Sequence, residues 1–281
     1  MIKHVNNYVK IDHDLLINQA HIFCGNGHLN VVKYLHREIK LIKEHFQSDD
    51  NFVCRWACLN GHLDVVKYLH QEIGITKKDF RSDNNYACRF SCSDGHIDVV
   101  KYLHKKIELT KEDFQSDNSC ACQWACQYGH FNIVKYLHQE IGLTKEDFQL
   151  EDNHSYQLAC ANGHVNITKY LHEEIGLTKD NSYLHHIMAF DQACENGHLD
   201  VVQYLHREIG LTKQDFQTYN DDVFYGACEN GHLNIVKYLH QEFGLTKENL
   251  QSNDNYACKI ALKNKHHKVV EYLLNEIFID I

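Results

Sequence analysis

Cysteine and histidine are the residues here whose types and spacing could do chemistry. They stand four residues apart seven times, from Cys24/His28 through Cys58/His62 to Cys228/His232. Both are good zinc ligands, so a metal site is the sharp reading. The plain reading is packing. A free cysteine behaves as a small hydrophobe. A tetrahedral site needs four converging ligands, and copies one unit apart lie about 10 Å from one another, the usual helix spacing. Packing is favoured, and it extends to the second cysteines Cys54, Cys88, Cys122 and Cys258. Catalysis needs a singular nucleophile, base and oxyanion set. Every Cys–His pair in this chain is periodic. There is no phosphate-cradling glycine loop and no cofactor fingerprint. The sequence therefore predicts no catalysis, no bound metal and no cofactor.

The elements that position these residues repeat. Gly-His recurs at 27, 61, 95, 129, 163, 197 and 231, always 34 residues apart, and Lys265-His266 is a degenerate eighth copy. A chain of 281 residues suggests one or two domains by length alone. The period replaces that expectation with a single array over residues 1–281. Its units begin near Gly27, Gly61, Gly95, Gly129, Gly163, Gly197, Gly231 and Lys265, and the first and last are incomplete caps.

One unit shows the local logic. Leu63, Val66, Leu69 and Ile73 follow helical spacing, with Val65 and Tyr68 widening the stripe. Gly74 is a helix stop. Thr76 and Asp79 have the spacing of a capping box, followed by a short helical turn anchored by Phe80. Asp83-Asn84-Asn85 suits a loop or an N-cap. A second helix follows over 86–94, with Cys88, Ser91 and Cys92 giving it a small-residue face. So short a helix does not persist alone, and stacking must supply its stability. The fold class is all-α: a solenoid of about eight helix pairs.

The run Ala57-Cys58-Leu59-Asn60-Gly61-His62-Leu63-Asp64-Val65-Val66-Lys67-Tyr68-Leu69 resembles the core of the ankyrin repeat, and it recurs along the whole chain. Three features depart from that family. The T-P-L-H turn is missing, the unit is one residue longer, and Gly142-Leu143-Thr144-Lys145-Glu146-Asp147-Phe148 replaces the usual loop. A short helical turn is expected where that family has β-hairpin fingers. Similar Cys- and Tyr-rich repeats occur in giant DNA viruses and intracellular microbes. The resemblance implies protein–protein recognition, with Cys58 at a small buried position and His62 as a loop histidine bonded to backbone. It also makes Trp56, Phe90 and Trp124 core residues of inter-repeat packing by default; exposed, the same column would be a binding hot spot.

A further histidine column runs His36, His70, His104, His138, His172, His206 and His240. It reads as half-exposed helix residues with a polar tip, or as a group titrating near pH 6.

Composition narrows the partner. The chain is 43% hydrophobic and 23% charged, as suits a folded protein. No stretch is long and apolar enough to span a membrane, and the start lacks the pattern of a secretory signal. Twelve cysteines without such a signal point to a reducing compartment, hence the cytoplasm, a host's if the source is a virus or an intracellular microbe. The formal charge of −10 disfavours nucleic acid.

All of that charge lies in residues 129–230, because 1–128 and 231–281 each balance to zero. The same stretch holds the irregular segments 181–191 and 218–225. Two readings stay open: drift on a solvated acidic face, or a binding surface. The family's concave face suggests Tyr128, His185, Asp191, Glu195, Tyr219, Asp221, Asp222, Tyr225 and Glu229 as contacts, for a protein carrying a basic patch. A monomer is expected. The rivals are self-assembly through the apolar end 276–281 and a Cys/His metal-binding module.

Overall fold

The computed structural model describes residues 13–177, 179–212, 214, 222–245 and 255–277. Among them there is no strand, and the helices form eight consecutive pairs. The chain divides into two compact units. One comprises Met1–Ala121 with Gln139–Gly142, and the other Cys122–His138 with Leu143–Ile281.

Each pair joins a cysteine helix to a stripe helix through the Gly-His loop. In the first unit these pairs are His13–Gly25 with Leu29–Arg37, Ser48–Leu59 with Leu63–Tyr68, and Ser82–Ser93 with Ile97–Lys105. Leu63–Tyr68 runs on as a π-helical turn, Leu69–Ile73, and stops at Gly74 in the left-handed region at φ 83°. The second unit holds Lys145–Ala161 with Val165–Glu173, Lys179–Glu195 with Leu199–Arg207, Asp222–Glu229 with Leu233–Phe243, and Tyr256–Lys263 with His267–Tyr272. The remaining pair, Ser116–Gln127 with Phe131–Gln139, has residues in both units.

The core follows the sequence pattern. Val65, Val66 and Leu69 are buried on the stripe helix, and Ala57 and Cys58 on the cysteine helix. The anchors Phe46, Phe80, Phe114 and Phe148 are fully buried. The turn before Phe80, Phe114 and Phe148 is the predicted capping box, whereas before Phe46 the Ile42 amide donates to His45 Nδ1. The Thr76 amide donates to Asp79 Oδ2 at 2.8 Å and the Thr76 hydroxyl donates to it at 2.7 Å. Gln47 Nε2 donates to the other oxygen at 2.8 Å, so the cap also ties neighbouring repeats together. The Asp-Asn-Asn segment is neither open loop nor N-cap. Asp83, Asn84 and Asn85 form a left-handed turn, with φ of 51°, 57° and 57°. Asn and Asp tolerate that region better than other side chains. Arg89 fixes the turn by donating to the carbonyls of Asn84 at 2.9 Å and Asp83 at 3.1 Å.

Histidine and tyrosine link successive stripe helices. His36 Nδ1 lies 2.9 Å from the Tyr68 hydroxyl, and His70 Nδ1 lies 2.9 Å from that of Tyr102. In the second unit His138 pairs with Tyr170 at 2.8 Å, His172 with Tyr204 at 2.7 Å, His206 with Tyr238 at 2.8 Å and His240 with Tyr272 at 2.8 Å. This column is a hydrogen-bonded ladder. Tyr68 does more than widen a stripe.

Candidate functional surface

The Gly-His loops separate a fixed scaffold from a variable face. Each loop glycine is left-handed, and at Gly27, Gly61, Gly129, Gly163, Gly197 and Gly231 the next repeat's histidine ring covers it. A Cβ on Gly27 would lie 2.5 Å from His62 Nδ1, and one on Gly129 would lie 2.6 Å from His164 Cε1. These rings reach backbone as well: His164 Nε2 donates to the Gln127 carbonyl at 2.9 Å, and His232 Nε2 to that of Glu195 at 2.9 Å.

Asparagine grips the equivalent carbonyls. Asn60 Nδ2 donates to Gly25 O at 2.9 Å, Asn196 to Ala161 O at 2.8 Å, and Asn264 to Glu229 O at 2.9 Å. Gly25, Gln127, Ala161, Glu195 and Glu229, each two before a glycine, thus have their backbone held by the next repeat while the side chain there is free to vary. This is the physical basis for an Asn before most of the glycines, with Asp94 and Tyr128 the exceptions, beside the varied Leu59, Ser93, Gln127, Ala161, Glu195 and Glu229.

The cysteines do not converge on these histidines. Cys58 is fully buried, whereas the His62 ring turns to the preceding repeat. Burial pushes the thiols of Cys24, Cys122 and Cys160 up to about 12, away from the thiolate form that binds metal or attacks substrate. Among the described residues no group of three or more His, Cys, Asp or Glu side chains is placed to hold a metal ion.

Sequence-predicted contacts in the second unit fall into three groups. Tyr128 is 53% exposed, Glu195 and Glu229 are exposed, and Asp191 is half-buried. The Glu195 side chain lies over Gly226 of the next repeat, where a Cβ would come within 2.7 Å of its Cγ. Tyr225 is corrected: it is buried with Val223 and Phe224 and meets Tyr256 edge-on at 5.2 Å, so it serves the core. His185 lies in Lys179–Glu195 and Asp222 in Asp222–Glu229, but their side chains are outside the described set; Tyr219 and Asp221 lie outside the described residues altogether.

The structure also corrects the aromatic column. Trp56 is 40% exposed, and Phe90 and Trp124 are half-buried, so none is a core residue. They sit on the cysteine helix away from its small-residue face. The column's change to Gln192 and Gly226 in the acidic stretch was the sequence signal for this.

A family model described as ankyrin repeats (3 copies) matches residues 54–152 and 190–281. The chain belongs to the ankyrin-repeat family. No curated protein matches it at a significant level. Ankyrin repeats generally mediate protein–protein interaction, and here the family's helix pairs are joined by capped helical turns. Among the described residues no helix is long and apolar enough to cross a membrane.

Proposed function

We propose that this ankyrin-repeat protein is a non-catalytic recognition scaffold whose partner carries a basic patch. One observation carries this reading: Glu195 and Glu229 expose carboxylates at scaffold-held positions within the stretch that bears the chain's whole net charge of −10. Gly226 leaves room between repeats for the Glu195 side chain. Opposite charges across a recognition surface set specificity and association rate. The 34-residue phase runs unbroken through both compact units, so residues 1–281 are read as one array. The buried thiols suit a reducing compartment such as the cytoplasm.

Charge reversal tests the site. Glu195→Lys with Glu229→Lys abolishes binding of the basic partner and leaves the melting temperature within a few degrees. Unchanged binding places the contact elsewhere.

A second reading is self-association. Leu262 is 57% exposed in the last helix pair and Leu274 53% in the turn Leu273–Ile277 that follows it, while residues 278–281 of the apolar end 276–281 lie outside the described residues. Sedimentation across a concentration series reads it, and a constant monomer mass excludes it.

A further inference from the structure

The first compact unit carries an aromatic strip that the acidic site does not use. Phe52 stacks on Trp56 with ring centroids 4.8 Å apart, and Tyr86 stacks on Phe90 at 3.9 Å. The Arg55 guanidinium lies 5.4 Å from the Phe52 ring and 5.4 Å from the Tyr86 ring, joining the two stacks into one surface. Trp56 packs over Gly25, where a Cβ would meet its side chain at 3.2 Å, yet the residue stays 40% exposed. Aromatic faces held this way lose little entropy when a partner covers them, and Trp, Tyr and Arg dominate binding hot spots.

The charge around the strip selects the occupant. Both arginines are already engaged: Arg55 pairs with Asp83, and Arg89 pairs with Asp117 at 2.5 Å. Neither guanidinium is left to recruit a phosphate. Asp94, one turn beyond Phe90, is also exposed. It occupies the place where Asn60, Asn196 and Asn264 each donate to the preceding repeat. A carboxylate cannot make that bond. The scaffold thus forgoes an inter-repeat hydrogen bond and presents an anion near aromatic rings, which themselves attract cations.

We propose that this strip docks a basic amphipathic segment of a protein partner. An apolar side chain covers Trp56 and Phe52, and a Lys or Arg of the same segment pairs with Asp94. The proposal rests on the protein-recognition reading but uses residues separate from Glu195 and Glu229.

The experiment uses the full chain carrying Trp124→Phe, which leaves Trp56 as the sole tryptophan of the two. The probe is a short labelled helical peptide of leucine and arginine. Trp56 emission reports contact, and anisotropy of the label reports affinity. The expected result is a saturable blue shift, with affinity falling about tenfold in Asp94→Lys and at least as much in Trp56→Ala. Circular dichroism checks both folds. Asp94→Lys alters only an exposed side chain, so it keeps the test valid if Trp56→Ala unfolds.

A peptide with glutamate for arginine, or serine for leucine, does not bind. No saturable shift, equal affinity for Asp94→Lys, or equal binding of the Leu/Glu peptide or of single-stranded oligo-dT overturns the proposal. The Glu195→Lys, Glu229→Lys variant gives an unchanged Trp56 titration, so failure of the strip and failure of the acidic site are read separately.

Discussion

The His164 imidazole fills the space that a side chain on Gly129 would need. Its Cε1 lies 2.6 Å from the Cβ position, and its Nε2 holds the Gln127 carbonyl at 2.9 Å. Gly129 is left-handed at φ 79°. The dipeptide Gly-His is thus one half of two contacts: the glycine receives the following repeat's ring, and the histidine covers the preceding repeat's glycine.

Two glycines separate the two demands on this position. Gly129 and Gly142 are both left-handed, at φ 79° and 83°, but nothing lies within 4 Å of a Cβ on Gly142. Gly142→Ala costs about 1–2 kcal/mol, the backbone term. Gly129→Ala costs a further ~1–3 kcal/mol, because the His164 ring must move. Urea unfolding of the two variants measures the difference. Equal destabilisation would mean the ring is not packed there.

Glu108 stands in the left-handed region at φ 61°, where the equivalent helix stops are Gly74, Gly142 and Gly176. Glu108→Gly removes the penalty on a residue with a Cβ, which exceeds the extra chain entropy glycine loses. A gain of roughly 0.5–1 kcal/mol is expected from thermal or urea unfolding.

Stability falls on mild acidification. Burial holds His70, His104, His172, His198 and His206 below the ordinary imidazole value. Nearby carboxylates, Glu140 for His104, Glu173 and Glu208 for His172, Asp200 for His198 and Glu242 for His206, oppose that effect without reversing it. The folded state therefore binds fewer protons than the unfolded one. Stability is full above the unfolded imidazole value of about 6.5. It declines as pH falls through that value and toward the lowered folded values. Urea midpoints between pH 7.5 and 5 are expected to drop together with this proton uptake, and a flat profile would contradict it. Asp79 adds a loss at lower pH. Burial raises its value, but hydrogen bonds from Thr76 and Gln47 and the charge of Lys43 outweigh that and hold it below the usual carboxylate range.

Asp94 trades stability for exposed charge. Asp94→Asn restores a donor aimed at the Leu59 carbonyl, as Asn60 is at Gly25. Stability is expected to rise by about 0.5–1.5 kcal/mol while affinity for the Leu/Arg peptide falls. Higher affinity in this variant would show that the carboxylate plays no part.

Much of the fold was legible because its determinants are local and periodic. The stripe Leu63, Val66, Leu69, Ile73 and the cap Thr76/Asp79 lie within a turn or two of one another. The ladder was not legible, since His36 and Tyr68 are 32 residues apart and each alone fits a half-exposed helix position. The exposure of Trp56 was missed because an aromatic at helical spacing fits a core as well as a surface. It is settled by which side of the cysteine helix the neighbouring repeat covers. Arg89 bonds to the carbonyls of the left-handed turn at Asp83-Asn84-Asn85, a guanidinium contact that no spacing rule predicts.

The most direct test of the recognition account is affinity capture from source-cell lysate, with wild type beside Glu195→Lys, Glu229→Lys and quantitative mass spectrometry as the readout. The account predicts a basic protein captured by the wild type and lost from the variant, with the interaction weakening as salt rises. Equal capture of the same proteins by both baits, at every salt concentration, would contradict it.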